Sequence, residues 1–186
     1  MKHSYYGKYD NIELRPLEKY DIESLRVWRN DKESTKFLRK VGYITPEMQE
    51  NWFLEYLKDQ TIYTFAIVEK EKLNRIVGSV SIYNFRNNKA EIGKIQIGDS
   101  EARGLGIGGR AMVIAMKIGF ELMGINLFDA HVHKDNTPAY KSYLDIGFKV
   151  VGSEPSEIGG FEDVIEMDYQ TLNKVNQYVK DIEIRK

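Results

Sequence analysis

Between Arg103 and Arg110 the chain reads R-G-L-G-I-G-G-R, so that Gly104, Gly106, Gly108 and Gly109 fill four of six consecutive positions. Glycine adopts positive φ and lets other atoms approach the backbone closely, and a run this dense belongs in a tight turn. Ile107, Ala111, Ile114, Ala115, Ile118 and Leu122 then recur at helical spacing. The turn therefore delivers the chain into a helix start, where backbone N–H groups lack acceptors and the helix dipole is positive. A phosphate or diphosphate is the group such a place can hold.

Three phosphate-binding patterns overlap in this stretch. Gly104-x-Gly106-x-x-Gly109 has the spacing of the dinucleotide fingerprint, and Asp129 lies twenty residues beyond Gly109, where a ribose-binding acid is expected. Too little chain follows to complete a doubly wound sheet, and several strands precede the loop, so the context opposes this reading. Gly104 and Gly109 also have P-loop spacing, but Arg110 and Ala111 stand where a lysine and a magnesium-binding hydroxyl are required. The third pattern is Arg103-x-x-Gly106-x-Gly108, set between a strand and an amphipathic helix.

The rest of the composition narrows the chemistry. The 186 residues contain no cysteine, which removes disulfides, thiolate metal sites and any cysteinyl intermediate. His131 and His133 alternate along one strand face and have the spacing of a chelating pair. Their neighbours are ordinary acids, so they read as polar positions on a half-exposed strand, and no metal is expected. A net charge of −1 gives no global field that draws nucleic acid. The richest apolar run, A-M-V-I-A-M-K-I-G-F-E-L-M-G-I, is interrupted by Lys117 and Glu121, so no membrane span is expected and a soluble cytoplasmic protein is the default.

These residues must be held by elements that the pattern also outlines. Residues 12–15 alternate as a first strand. Asp21 and Thr45-Pro46 open two helices. The segments 62–68, 75–85 and 90–98 are rich in β-branched and aromatic residues and read as three successive strands. After the glycine loop, a helix ends at Gly124, residues 126–133 form a core strand, and 136–146 form a short helix closed by Gly147. Two strands follow at 148–152 and 161–169. A single domain over 1–186 is expected, with a core at about 12–170 and a polar C-terminal tail at 171–186.

Arg103-x-x-Gly106-x-Gly108 resembles the acyl-CoA pyrophosphate loop of the GNAT acetyltransferase superfamily, Q/R-x-x-G-x-G/A. Downstream, Asn136, Ala139, Tyr143, Gly147 and Phe148 resemble that superfamily's second signature, N-x-x-A-x-x-x-Y-x-x-x-G-F. The two motifs occur in the family's order, and the inferred order of elements from about residue 12 to 170 is also the family's. The resemblance implies an α/β (α+β) fold: a mixed, mostly antiparallel sheet of about seven strands, split after the fourth and flanked by about four helices. It implies acetyl-CoA as cosubstrate, held by Arg103, Gly104, Leu105, Gly106, Ile107, Gly108 and Gly109. Asn136 and Ala139 would add contacts, and the strand edge Ile95, Gln96, Ile97 and Gly98 would pair with the pantetheine arm.

Acetyl transfer to an amine needs a neutral amine, stabilisation of an oxyanion and a proton for the departing thiolate. Without cysteine, direct attack in a ternary complex is the simplest route. Tyr143 matches the family's proton donor; a phenol near pKa ~10 reaches a thiolate near ~8.5 at a cost of about 2 kcal/mol, although a tyrosine packing a helix on a sheet is the plainer reading. Asn136 is both a family contact and a good helix cap. Glu91 is the candidate base, acting through a water, or else a solvated strand carboxylate.

For the acceptor, L-R-P-L-E-K-Y-D…W-R-N followed by I-T-P-E-M-Q-E-N-W-F resembles two branches of the family. One comprises ribosomal-protein N-terminal acetyltransferases, and the other bacterial enzymes that acetylate an amino group on a nucleotide-linked sugar. The Trp28-Arg29-Asn30 triplet tilts the reading to the second, with Arg29 meeting a phosphate and Trp28 stacking on a base or sugar, unless they simply pack the helix. Glu33 is a further acceptor candidate; with Glu162 and Asp163 it would instead suit a polyamine or aminoglycoside. The expected partner is thus a small-molecule amine or a peptide N-terminus, with no nucleic acid and no membrane, and a homodimer left open. A non-catalytic acyl-CoA sensor is the rival of a different class.

Overall fold

A computed structural model describes residues 2–39 and 41–186. Its centre is one sheet in the order β7-β8-β6-β5-β4-β3-β2-β1-β9. The strands are β1 (Tyr6–Tyr9), β2 (Ile12–Pro16), β3 (Ile62–Glu69), β4 (Arg75–Arg86), β5 (Lys89–Ile97), β6 (Leu127–His133), β7 (Lys149–Pro155), β8 (Phe161–Asp168) and β9 (Glu183–Arg185). Every neighbouring pair is antiparallel except β5 and β6. Among the described residues there are five α-helices: α1 (Ile22–Asn30), α2 (Pro46–Lys58), α3 (Ile107–Leu122), α4 (Thr137–Asp145) and α5 (Tyr169–Val175).

α3 is the core of the molecule. Ile107, Ala111 to Ile118 and Gly119 are buried along it, apolar on nearly every side, as a helix enclosed between sheet and neighbours must be. It packs on Ile12, Leu14, Phe65, Ile67, Ile82, Ala90 and Ile92. Each fully buried aliphatic side chain of this kind contributes about 1.5–3 kcal/mol. The opposite sheet face carries α1 and α2, whose Ile22, Leu25, Phe53 and Tyr56 close over Leu17 and Ala66. α2 starts as its sequence requires, with Thr45 accepting the Met48 amide at 3.2 Å and Pro46 following.

Among the described residues the sheet has nine strands rather than about seven, and there are five α-helices rather than about four. Both extra strands lie at one edge. β1 is only four residues long and contains Gly7, where an added Cβ would meet Ile114 Cγ2 at 2.4 Å, so the glycine permits close approach to α3. β9 is three residues long and pairs with β1. The polar tail expected at 171–186 is therefore built into the fold. Leu172, Val179 and Ile182 are buried, and the Lys117 ammonium donates to the carbonyls of Val179 and Ile182 at 2.8 and 3.0 Å. Lys117, which breaks the apolar run in α3, thus has its partners in the C-terminal segment. No helix among the described residues is long and apolar enough to cross a membrane.

Candidate active site

β5 and β6 pair only through Lys89–Leu127, Ala90–Phe128 and Glu91–Asp129. Beyond that rung the two strands separate. β6 continues against β8 and β5 continues against β4, so residues 92–97 present one edge of β5 without a strand beside it. This is the split expected after the sequence's fourth strand, which is β5 here. Ile95 and Ile97 face the start of α3, their side chains within ordinary contact of where a Cβ on Gly108 would be. Gln96 turns to the other face and donates to the Trp28 carbonyl at 3.1 Å, and the Gly98 amide donates to Val77 at 3.0 Å.

The glycine loop leads from this edge into α3. Gly104 and Gly106 lie at φ 76° and 68°, a region that penalises a side chain. Gly106 is the N-cap of α3, and no side chain caps that end. The amides of Ile107, Gly108 and Gly109 precede the first helical bond, made by the Arg110 amide to Gly106 at 3.3 Å, and so have no acceptor within the helix. Both flanking arginines brace the loop. Arg103 donates to the carbonyls of Ile97 and Gly98 and to Ser34 Oγ at 2.5 Å; Arg110 donates to Asp10 at 2.7 Å and to the Leu105 carbonyl at 3.1 Å. Their charge thus stands behind the loop while the backbone donors form its open side. Gly109 has a separate reason to be glycine: a Cβ there would meet Ser142 Oγ of α4 at 3.0 Å.

α4 enters from the far side of the split. Asn136 caps it, accepting the Ala139 amide at 3.4 Å. Tyr143 is 5% exposed, edge-on to Phe148 with centroids 5.4 Å apart. Burial, with a further contribution from the negative charge of Glu91, pushes its phenol up to about 12. Glu91 sits at the last paired rung and accepts hydrogen bonds from the Tyr83 hydroxyl and from Asn84 Nδ2, the latter at 2.7 Å. Tyr83 is raised more strongly still, by burial first, then by its bond to Glu91. Opposite Glu91, Asp129 pairs through Oδ2 with Arg86 at 2.6 Å and Lys89 at 3.4 Å. Its Oδ1 is buried and meets no hydrogen-bond partner among the described residues.

Sequence reasoning does not pick out Tyr83, Asn84 and Asp129 as neighbours of Glu91. Only strand register reveals them, since Tyr83, Glu91 and Asp129 fall on one row across three strands.

The acceptor candidates are engaged within the fold. The Trp28 ring lies against the backbone of Gly98, where a Cβ would come within 2.0 Å of its Cδ2. Asn30 has both amide groups engaged by Ile44, donating to its carbonyl and accepting its amide at 2.9 Å each. Arg29 donates to the Arg39 carbonyl at 2.6 Å, and burial lowers its pKa. Glu33 is exposed, its amide bonded to Asp31. Trp28 and Asn30 therefore anchor the α1–α2 connection, which reaches across the sheet: Phe37 packs on His133 at 5.5 Å and Arg39 pairs with Glu157 at 3.4 Å.

The two histidines diverge. His133 bonds to the Gly159 carbonyl at 2.7 Å, while His131 Nδ1 lies 3.1 Å from Glu154 and 3.4 Å from Glu162. The His131, Glu154 and Glu162 ligand atoms all fall within 4.8 Å of one another, close enough to share one ion. Asp163 is held by Lys134 at 3.1 Å and by the Tyr140 hydroxyl at 2.7 Å.

Comparison with known proteins agrees with this architecture. A family model described as "Acetyltransferase (GNAT) domain" matches residues 11–149. The chain is 28% identical over 162 residues to an N-acetyltransferase 9-like protein of Nematostella vectensis, covering 78% of each. It is 26% identical over 160 residues to spermidine N(1)-acetyltransferase of Escherichia coli, covering 84% of each. Among solved structures, apo FdhC, described as a nucleotide-linked sugar GNAT, superposes with a TM-score of 0.79 at 18% identity, covering 96% of this chain and 98% of that one. With the split sheet, the uncapped α3 and the matched span together, the chain belongs to the GNAT acetyltransferase family and is an N-acetyltransferase.

Proposed function

We propose that the protein transfers the acetyl group of acetyl-CoA, in a ternary complex, to a primary amine on a nucleotide-linked sugar. The observation that carries the first half is the split itself: Glu91 closes its inner end, Tyr143 borders it from α4, and the open amides of α3 lie at its outer end. These residues fit the cosubstrate. The amides of Gly106 to Gly109 would hold its pyrophosphate, with the helix dipole behind them, and the free edge of β5 at Ile95 to Gly98 would receive its amide-bearing arm. Asn136 and Ala139 border the same space. Acetyl-CoA supplies the activated acetyl group.

The chain's own residues manage the protons. Glu91, fixed by Tyr83 and Asn84, takes the proton that an ammonium must lose before it can attack, through a water. Tyr143 stays neutral well above physiological pH because its pKa is about 12, so its proton is available to the departing thiolate. The burial that raises the phenol acts the same way on a thiolate beside it, which keeps the transfer from becoming steeply uphill.

Support for the acceptor comes from charge. Apart from Glu91 itself, carboxylates around the split are paired with cations: Asp129 with Arg86 and Lys89, Glu166 with Lys89 at 2.6 Å, and Asp163 with Lys134. The α1–α2 connection adds Arg29, while Arg39 is already paired with Glu157. A polycation would find few unmatched acids here, whereas a phosphate-bearing acceptor meets cations. The solved structure of a nucleotide-linked sugar GNAT shares the fold. A polyamine is the second reading, favoured by the spermidine-acetylating relative and by the Glu154–Glu162 pair on the outer strands.

Thiol release from acetyl-CoA, measured over nucleotide-linked amino sugars, spermidine and ribosomal N-terminal peptides, tests the assignment. The expected result is a kcat/KM for at least one nucleotide-linked amino sugar about 100-fold above the other classes. Preference for spermidine or a peptide overturns the acceptor, and acetyl-CoA binding without turnover on any amine overturns catalysis.

A further inference from the structure

One hollow on the α1–α2 face has no place in the reaction described above. It is lined by Trp52, Glu55, Tyr56, Lys58 and Asp59 of α2 and the residue after it, by Ile62 at the start of β3, and by Lys94 of β5. Two of its features are unusual for a plain surface depression. The first is an aromatic platform: Trp52 and Tyr56, one turn apart on α2, lie nearly parallel at 11° with centroids 5.5 Å apart, and Trp52 remains 42% exposed.

The second is Lys94. It occupies the left-handed region at φ 48°, at a break in the β4–β5 register between Ser79 and Ser81. A non-glycine residue is uncommon there, and the extra residue of a bulge re-aims a side chain. Gly93 and Gln96 occupy the acceptor face and Ile95 and Ile97 the α3 face, so the bulge is what lets Lys94 project beside Gly93. Its ammonium lies 4.3 Å above the Tyr83 ring, in direct ion-pair contact with no carboxylate among the described residues, though its charge helps to lower the Asp59 carboxyl behind the bonds from Thr61. The other charges of the hollow are matched more closely. Lys58 pairs with Glu55 at 2.8 Å, and Asp59 Oδ1 accepts the amide and hydroxyl of Thr61 at 2.7 and 2.6 Å.

The hollow is also in line with the reaction centre. Ile62, Tyr83 and Glu91 are register partners across β3, β4 and β5, so the hollow's wall lies two strand spacings, about 10 Å, from the candidate base. Lys94 stands between the two, over the same Tyr83 whose hydroxyl holds Glu91. That separation is about a hexose ring and its anomeric phosphate. We infer that this hollow is the acceptor's nucleotide subsite: Trp52 stacks on the nucleobase and Lys94 binds the diphosphate, which sets the sugar amine at Glu91. The inference rests on the acceptor class proposed above and assigns that class a location.

The test uses the full chain, UDP and dTDP as probes, and the variants Trp52→Ala and Lys94→Gly. Both side chains are at the surface, and glycine suits the backbone at 94, so folding should persist; melting temperature and acetyl-CoA affinity serve as controls. Calorimetry is expected to show one site for a nucleoside diphosphate, weakened about tenfold or more by either substitution. With the amino-sugar substrate, KM should rise by a similar factor while kcat holds, because the nucleotide is bound equally in ground and transition states. If a nucleotide-linked amino sugar is turned over but neither variant changes its KM or the probe's affinity, the subsite is wrong and the function stands. If no nucleoside diphosphate binds and only other amines react, both are wrong.

Discussion

Glu69 and Glu91 are both strand glutamates, one at the end of β3 and one where β5 leaves β6, and their surroundings differ in how completely they are satisfied. Glu69 is 1% exposed and receives the amides of Leu73, Lys72 and Glu71 at 2.5, 2.9 and 3.1 Å, along with Asn11 Nδ2 at 2.6 Å. Burial opposes its charge, but these donors outweigh burial and hold its pKa at about 2. It is a fixed anion that closes the β3–β4 turn. Glu91 has two side-chain donors and faces the split, with Tyr143 and Asp129 nearby. A carboxylate saturated by backbone donors has no oxygen lone pair left for a water or ligand, whereas one positioned by two side chains at the edge of a cleft can still accept from one.

The sharpest way to break that comparison is to change the split. Tyr143→Phe should lower kcat by about 100-fold or more while leaving acetyl-CoA affinity and melting temperature close to the parent's, as steady-state kinetics and calorimetry would show. Near-parental turnover would reassign Tyr143 to packing alone. Glu91→Gln should act in the same direction and remove the acidic limb of the pH–rate profile; an unchanged limb would take the base role from it.

Glu69→Gln should do the reverse. Losing the charge that four donors converge on should cost about 2–3 kcal/mol in denaturant unfolding with kcat intact. A variant that lost activity but not stability would erase the distinction between the two glutamates.

His3 offers a smaller check far from the cleft. It is buried, bonds through Nε2 to the Thr64 carbonyl at 3.2 Å, and leaves Nδ1 without a partner among the described residues, so the neutral ring is the one that fits. Burial depresses its pKa from 6.5 to about 4. Because the folded value is the lower one, its contribution is whole above pH 6.5 and is lost as pH falls towards 4. Unfolding at pH 5 should be easier by about 2 kcal/mol than at pH 7, and His3→Phe should flatten that slope.

The smallest effect is expected at Gly106. Alanine there must adopt φ near 68°, costing on the order of 1 kcal/mol in stability, and should weaken acetyl-CoA binding more than it lowers the melting temperature.

Local chemistry made much of this legible in advance. The caps at Thr45 and Asn136, the helical period of α3 and the glycines at 104, 106, 124 and 147 are short-range features, set by hydrogen bonds and dihedral limits within a few residues. The glycine loop and the helix bearing Tyr143 were legible for the same reason. β1 and β9 were not, because strands of four and three residues carry little periodicity and form by pairing at the sheet's edge, β1 on β2 and β9 on β1.

The acceptor side was the least legible. Trp28, Arg29 and Asn30 share one helical turn, which does not reveal that Gly98, Arg39 and Ile44 would occupy them from distant parts of the chain. Nor does the order of residues put Tyr83 beside Glu91, or Lys94 over Tyr83; strand register and a one-residue bulge do that. By itself the amino-acid sequence determined where backbone donors gather and which helix carries the phenol, because those depend on neighbours along the chain. Which carboxylate is saturated, which arginines brace the loop and where the sheet opens were decided only when non-local strands paired, because charge matching and burial are properties of that packed arrangement.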